Sequence, residues 1–152
     1  MANLVPVMTS NTAPSGVASA SFSDGGTFAY QAFDHNVNNN FSSNQDSWLK
    51  YQFTGKKSIT GYSVLSHTYS GYAVKSWLFQ GSNNGTIWTT LDSQTNQDTR
   101  SRKEYSVSGV NHYSYIRLSN MVSSSGDTLI VKEFEILGTE ILIPRVVNYW
   151  SI

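Results

Sequence analysis

Cysteine is absent from the 152 residues, so no disulfide holds this fold, and thiol usage says nothing about its compartment. Charge is scarce as well. Asp, Glu, Lys and Arg make up 13% of the chain, and ten basic residues balance ten acidic ones to a formal net charge of zero. Such a chain has no global field to attract nucleic acid or an anionic membrane, and the Lys56-Lys57 pair is too small a patch to hold a phosphate backbone. No run approaches the roughly 20 apolar residues of a membrane-spanning helix. The N-terminus lacks the basic region and long apolar core of a signal peptide. Phosphate-cradling glycine loops, His-x-x-x-His zinc spacing and a serine nucleophile elbow are also missing. His35, His67 and His112 therefore have no partner for catalysis, Glu133 and Glu135 read as structural carboxylates on one strand face, and the expectation is a protein that is not an enzyme.

With so few charges, the surface must be covered by Ser, Thr, Asn and Gln. The length suits one domain with a real core. Pro6 and Pro14 argue for an extended arm over residues 3–15. Val17 to Phe22 reads as a first strand, Ser23-Asp24-Gly25-Gly26 as a turn, and Thr27 to Phe33 as one helical turn with Tyr30 and Phe33 inward, the only helix expected. From Ser47 the period is two: Trp48, Lys50 and Gln52 share one face, and Leu49, Tyr51 and Phe53 the other. Thr54-Gly55-Lys56-Lys57 reads as a turn before a strand over Ser58 to Ser66. Further strands are expected over Lys75 to Ser82, Thr86 to Asp92, Arg102 to Val107, His112 to Ser119 and Leu129 to Leu137. About eight strands punctuated by turn residues predict an all-β antiparallel β-sandwich. Eight of the twelve residues from Ile141 to Ile152 are large and apolar. Residues 1–139 are therefore expected to form the domain, and 140–152 an apolar C-terminal extension packed on it or on a neighbouring chain, a possible homo-oligomer.

The segment Gln31 to Phe41 packs one carboxylate and several amides between phenylalanines. Asp34, Asn36 and Asn39 offer hard oxygen donors of the kind calcium prefers. The alternative reading is an Asx-rich surface loop whose side chains bond their own backbone.

That segment, Ala32-Phe33-Asp34-His35-Asn36 with Phe41-Ser42-Ser43, is the first anchor of a resemblance. The others are Trp48 to Phe53, Ile59-Thr60-Gly61-Tyr62, Trp77 to Trp88, Tyr115-Ile116-Arg117-Leu118 and Val131 to Gly138. In this order and spacing, residues 3 to 138 resemble the discoidin family, the galactose-binding-like modules of coagulation factors, and are most similar to its bacterial carbohydrate-binding modules. The resemblance implies a jelly-roll sandwich and a structural calcium held by Asp34, Asn36, Asn39 and Glu133 with the carbonyls of Gln31 and Lys132. His35 stands where the family has Gly, so the tight turn requires a left-handed histidine. The resemblance also implies a glycan site at the loop end, with Asp24, Ser42 and His67 as polar contacts and Tyr69 or Tyr72 as the stacking ring. The function implied is a non-catalytic glycan adhesion or targeting module of a larger bacterial or phage protein, extracellular or on a cell or virion surface. Its partner would be a galactose-type or cell-wall saccharide. The alternatives are a structural or oligomerisation domain without ligand and a phospholipid-binding discoidin domain. The latter needs apolar loops ringed by basic residues, which Ser23 to Gly26 and Phe41 to Asn44 do not supply.

Overall fold

The alternation that starts at Ser47 continues far beyond Phe53. In the computed structural model, which describes residues 2–142, a single strand runs from Ser47 to Ser66. The turn expected at Thr54 to Lys57 is therefore a bend within one strand. Gln52 lies opposite Tyr115 and Lys57 opposite Tyr113, so residues 53–56 face residue 114 alone. A bulge of this kind bends a strand and sharpens its twist without ending it. In chain order the strands are β1 (Ala2–Asn3), β2 (Val17–Ala20), β3 (Phe41–Asn44), β4 (Ser47–Ser66) and β5 (Val74–Ser82), then β6 (Thr89–Gln94), β7 (Lys103–Ser106), β8 (His112–Ser123) and β9 (Thr128–Glu140). One 3-10 turn, Ala29–Ala32, stands where the helix was expected.

All pairings are antiparallel, and they define the all-β jelly-roll sandwich. The first half of β4 pairs with β2 and β8, while its second half pairs with β9 and β7. Beyond these, β8 pairs with β5 and β5 with β6, while β9 also takes β3 and β1. The strand β4 thus belongs to both layers. Its inward residues Leu49, Tyr51, Ile59, Tyr62 and Val64 are buried with Phe33, Trp77, Phe79, Ile116, Leu118 and Phe134. Tyr62 stacks on Phe79 with ring centroids 3.9 Å apart, and its hydroxyl donates to Asp92 Oδ2 at 2.6 Å while accepting from Trp77 Nε1 at 2.9 Å. Burial first, and Asp92 second, hold the Tyr62 phenol protonated far above its ordinary range. A buried hydroxyl satisfied in both roles is compatible with the core.

Among the described residues no helix is long and apolar enough to cross a membrane. The expectation of a packed apolar extension falls, from Ile143 onward, outside the described residues. The domain's last strand runs through Glu140, whose carboxylate pairs with Lys57 Nζ at 2.6 Å.

Gly138 tests how closely β4 and β9 approach. A Cβ there would lie 1.9 Å from the Ser58 carbonyl oxygen, whereas one at Gly55 would meet nothing within 4 Å. Gly138→Ala should cost at least about 1–3 kcal/mol through overpacking, and Gly55→Ala should be neutral or slightly stabilising, as urea melts of the two variants will report.

Candidate glycan and cation sites at the loop end

Three connections meet where β9 begins. Ser42 of β3 lies opposite Ile130 of β9, and Asp24 N–H donates to Ser42 O at 2.9 Å. On the other side His67 N–H donates to Ile130 O at 3.3 Å, and Ile130 N–H donates to Tyr72 O at 2.9 Å. Ser42 and Ile130 face each other as a non-hydrogen-bonded pair, so Asp24, held on Ser42, and His67 and Tyr72, held on Ile130, flank the β3–β9 pairing from its two sides. Asp24 and His67 stand three strand spacings apart, about 14 Å. The β8–β9 turn closes the group, since Ser125 N–H donates to Gly71 O at 2.9 Å.

Within this frame each side chain has a fixed role. His67 Nδ1 accepts from Tyr69 N–H at 3.0 Å, which places the proton of a neutral ring on Nε2, where it can be donated outward. Asp24 Oδ1 accepts from Gly25 N–H at 2.8 Å, leaving Oδ2 as an acceptor. Ser42 is tied by its backbone, with its N–H donating to Thr27 Oγ1 at 3.0 Å. Tyr69 is 57% exposed and meets Tyr72 edge-on at 4.9 Å, while Tyr72 meets His67 edge-on at 5.8 Å. A donor, an acceptor and an exposed ring are the elements needed to engage a pyranose.

Two supporting residues were not foreseen from the sequence. Thr99 is fully buried, and its Oγ1 lies 2.6 Å from the Val74 carbonyl oxygen and 2.7 Å from Ser66 Oγ. It clamps both ends of the 67–73 loop from a distant connection, and nothing in the local pattern around it signals that. Gly71 lies under Tyr69, where a Cβ would approach the ring to 2.5 Å. A cleft of about 360 Å³ opens beside Asp24, lined also by Phe22, Gln45, Asp127 and Thr128. It shares only Asp24 with the expected set. His67, Tyr69 and Tyr72 do not line it.

The second cluster lies in the Asp34 loop. His35 has φ +56°, the left-handed conformation the turn requires, and its Nε2 lies 3.2 Å from Val5 O and 3.1 Å from Asn3 Nδ2. Asp34 Oδ1 accepts from Asn36 N–H at 2.9 Å, and its Oδ2 accepts from Asn39 Nδ2 at 2.5 Å. These bonds realise the Asx-loop reading. The sandwich adds Glu133, 2% exposed, with a buried Oε1 that has no partner. Burial first, then the charge and hydrogen bond of Asp34, push the Glu133 carboxyl up to about 8. The buried Asn40 Oδ1 is also unpartnered, and Asn40 stands one residue before the Phe41–Val131 pair, alongside Lys132. Gln31 closes the preceding 3-10 turn, its Oε1 accepting from Phe28 N–H at 2.8 Å. Among the described residues no three His, Cys, Asp or Glu side chains gather. Two carboxylates and several neutral oxygens nevertheless fit a hard cation such as calcium, which takes six to eight oxygens.

The fold is an antiparallel sandwich in which Asp24, Ser42, His67 and Tyr72 gather at one end. The chain belongs to the F5/8 type C domain family, whose model matches residues 15–134. No match was found among curated proteins. Among solved structures, CpGH89CBM32-5 from Clostridium perfringens, in complex with GalNAc-β-1,3-galactose, is similar with a TM-score of 0.72 at 13% identity, over 81% of this chain and 95% of that one. The family 32 carbohydrate-binding module of C. perfringens NanJ, in complex with galactose, reaches 0.70 at 16% identity, over 80% and 92%. Chitosan-binding module 1 of a chitosanase/glucanase from Paenibacillus sp. IK-5 reaches 0.72 at 23% identity, over 91% and 100%.

The buried Glu133 has a pH signature. Its folded value, about 8, lies above the ordinary 4.5, so the folded state holds a proton that the unfolded state has released. That contribution is complete below 4.5 and is lost as pH rises through about 8. In excess chelator the melting temperature should fall between pH 5 and pH 8.5, and Glu133→Gln should flatten the fall and melt higher than wild type at pH 8.5.

Proposed function

We propose that this domain is a non-catalytic glycan-binding module that serves adhesion or targeting within a larger extracellular or surface protein, bacterial or phage in origin. The observation that supports the reading is the β3–β9 pairing of Ser42 with Ile130, with Asp24 bonded to Ser42 and His67 and Tyr72 bonded to Ile130, so that a donor, an acceptor and the exposed Tyr69 ring share one end of the sandwich. The saccharides bound by the structural neighbours belong to the same broad class of ligand. A galactose-type or cell-wall sugar would stack its apolar face on Tyr69 or Tyr72. Its hydroxyls would accept from His67 Nε2 and donate to Asp24 Oδ2, with Ser42 as a weaker contact.

One monosaccharide on so open a surface buries little area, so the expected Kd is in the millimolar range, about −4 kcal/mol, and multivalent display would raise the avidity. Galactose, N-acetylgalactosamine and cell-wall oligosaccharides titrated by NMR should shift resonances of residues 67–72 and of Asp24. His67→Ala should abolish those shifts. Gly71 is buried under the exposed Tyr69 ring, so Gly71→Ala should displace that ring and weaken binding, with its melting curve as the control for stability. The absence of shifts with every glycan would favour a structural domain without ligand.

Calcium is the cation we propose for the Asp34 loop, with Asp34, Asn36, Asn39 and Glu133 as side-chain ligands and the Gln31 and Lys132 carbonyls completing the shell. It would cancel the repulsion between Asp34 and Glu133 and join an early loop to β9. By mass action, calcium at one hundred times its Kd should add about 2.7 kcal/mol of stability, so millimolar calcium should raise the melting temperature above that in chelator. Glu133→Gln should remove that difference. An unchanged midpoint in wild type would leave the loop as a self-bonded Asx turn.

A further inference from the structure

The outer face of the layer formed by β2, β4, β8, β5 and β6 carries a group of side chains that the loop-end site does not use. Trp48 and Lys50 project outward from β4, opposite the buried Leu49 and Tyr51, and Tyr115 and Arg117 project outward from β8. The register puts Lys50 directly opposite Arg117 and Gln52 opposite Tyr115. Like charges in direct cross-strand opposition are destabilising, and the two cations are also partly desolvated. Burial, then the charge of Arg117, lowers the Lys50 ammonium from its ordinary value, and burial lowers the Arg117 guanidinium. No carboxylate relieves them: the ion pairs among the described residues are Lys57–Glu140, Arg100–Asp98 and Arg102–Glu135.

What holds the cations in place is aromatic. Lys50 Nζ lies 4.8 Å from the Trp48 ring centroid and 6.0 Å from that of Tyr115. The Arg117 guanidinium lies 4.0 Å over Trp88, which meets Tyr115 edge-on at 6.4 Å. Arg117 Nε donates to Gln80 Oε1 at 2.8 Å, and Gln80, only 8% exposed, is anchored in turn by donating Nε2 to Thr90 Oγ1 at 3.0 Å. Among the described residues, the terminal nitrogens of Arg117 and Lys50 Nζ have no hydrogen-bond partner. The arrangement is a rigid patch of three rings around two uncompensated cations, on the outer sheet face and sharing no residue with the His67 loop.

We propose that this face is a second ligand-binding surface, for the uronate units of an acidic polysaccharide. A uronate brings both complements at once. Its carboxylate can bridge Lys50 and the forked nitrogens of Arg117, removing the like-charge opposition, and its flat C–H face can lie against Trp48 or Tyr115. A neutral glycan would use the rings and leave the cations as they are. Single-stranded nucleic acid would also offer flat faces and anions, but its binding draws on a backbone-tracking basic groove, and this face offers two cations on a chain whose net charge is zero.

Oligogalacturonate, its fully methyl-esterified counterpart and oligothymidylate serve as probes, titrated into the full chain and read by NMR. Oligogalacturonate should shift the indole N–H signals of Trp48 and Trp88 but not that of buried Trp77, and bind more weakly as salt rises. The ester should bind at least about tenfold more weakly, as should Lys50→Gln, since a charge-assisted hydrogen bond is removed in each case. Lys50→Gln breaks no hydrogen bond in the structure and should fold, while Arg117→Gln provides the second cation test with its melting curve as a control. His67→Ala should leave oligogalacturonate binding unchanged. Equal binding of ester and acid, retention of affinity in Lys50→Gln, loss in His67→Ala, tighter binding of oligothymidylate, or no binding of oligogalacturonate would each overturn the proposal.

Discussion

The sandwich depends on β4 remaining one strand while changing layers. Its first half lies between β2 and β8, its second between β9 and β7, and the bulge over residues 53–56 supplies the bend. Because the same backbone is hydrogen-bonded in both layers, the layers cannot slide past one another without breaking β4's ladders. Every functional feature inherits its position from that constraint. The outward face of the first half presents Trp48 and Lys50. The second half fixes β9, and β9 in turn fixes Ile130 and Glu133.

The two loop-end clusters are built on opposite physical principles. Around Ile130, polar groups are satisfied almost completely by backbone, so the side chains that remain are free to face outward with defined donor and acceptor roles. Around Glu133, a carboxylate is buried beside another with an oxygen unpartnered, an arrangement that folding alone disfavours. The first turns its polar side chains outward, while the second keeps a carboxylate oxygen inside without a partner. The two lie within a few residues of the same strand.

Much of this was legible in the sequence because the period-two pattern reports burial directly: Leu49, Tyr51 and Phe53 face inward as their spacing requires. The Asp34 loop was also legible, since hard donors concentrate within six residues and the family anchors lie on either side. The bend at Thr54 to Lys57 was misread as a turn because its polar residues and Gly55 carry the composition of a turn, whereas pairing beyond it is decided by β9, more than 70 residues away. Thr99 and Gly71 were illegible for a related reason. Their importance lies in what they touch, Val74 and Ser66 for one and the Tyr69 ring for the other, and neither contact leaves a periodic trace. The opposition of Lys50 and Arg117 likewise needs a register, which no single strand encodes.

The lateness of β9 has a consequence for how the chain is made. It completes ladders with β1, β3 and the second half of β4, so all three wait for a strand that is synthesised more than 60 residues after β4 ends. Until then the second half of β4 has an open edge capable of pairing with another nascent copy. With so much of its structure resting on distant pairings, the domain belongs among slow folders. A ribosome that stalls before Thr128 would release a sheet with its central strand half covered, and such fragments are substrates for chaperones or for aggregation rather than for partial function.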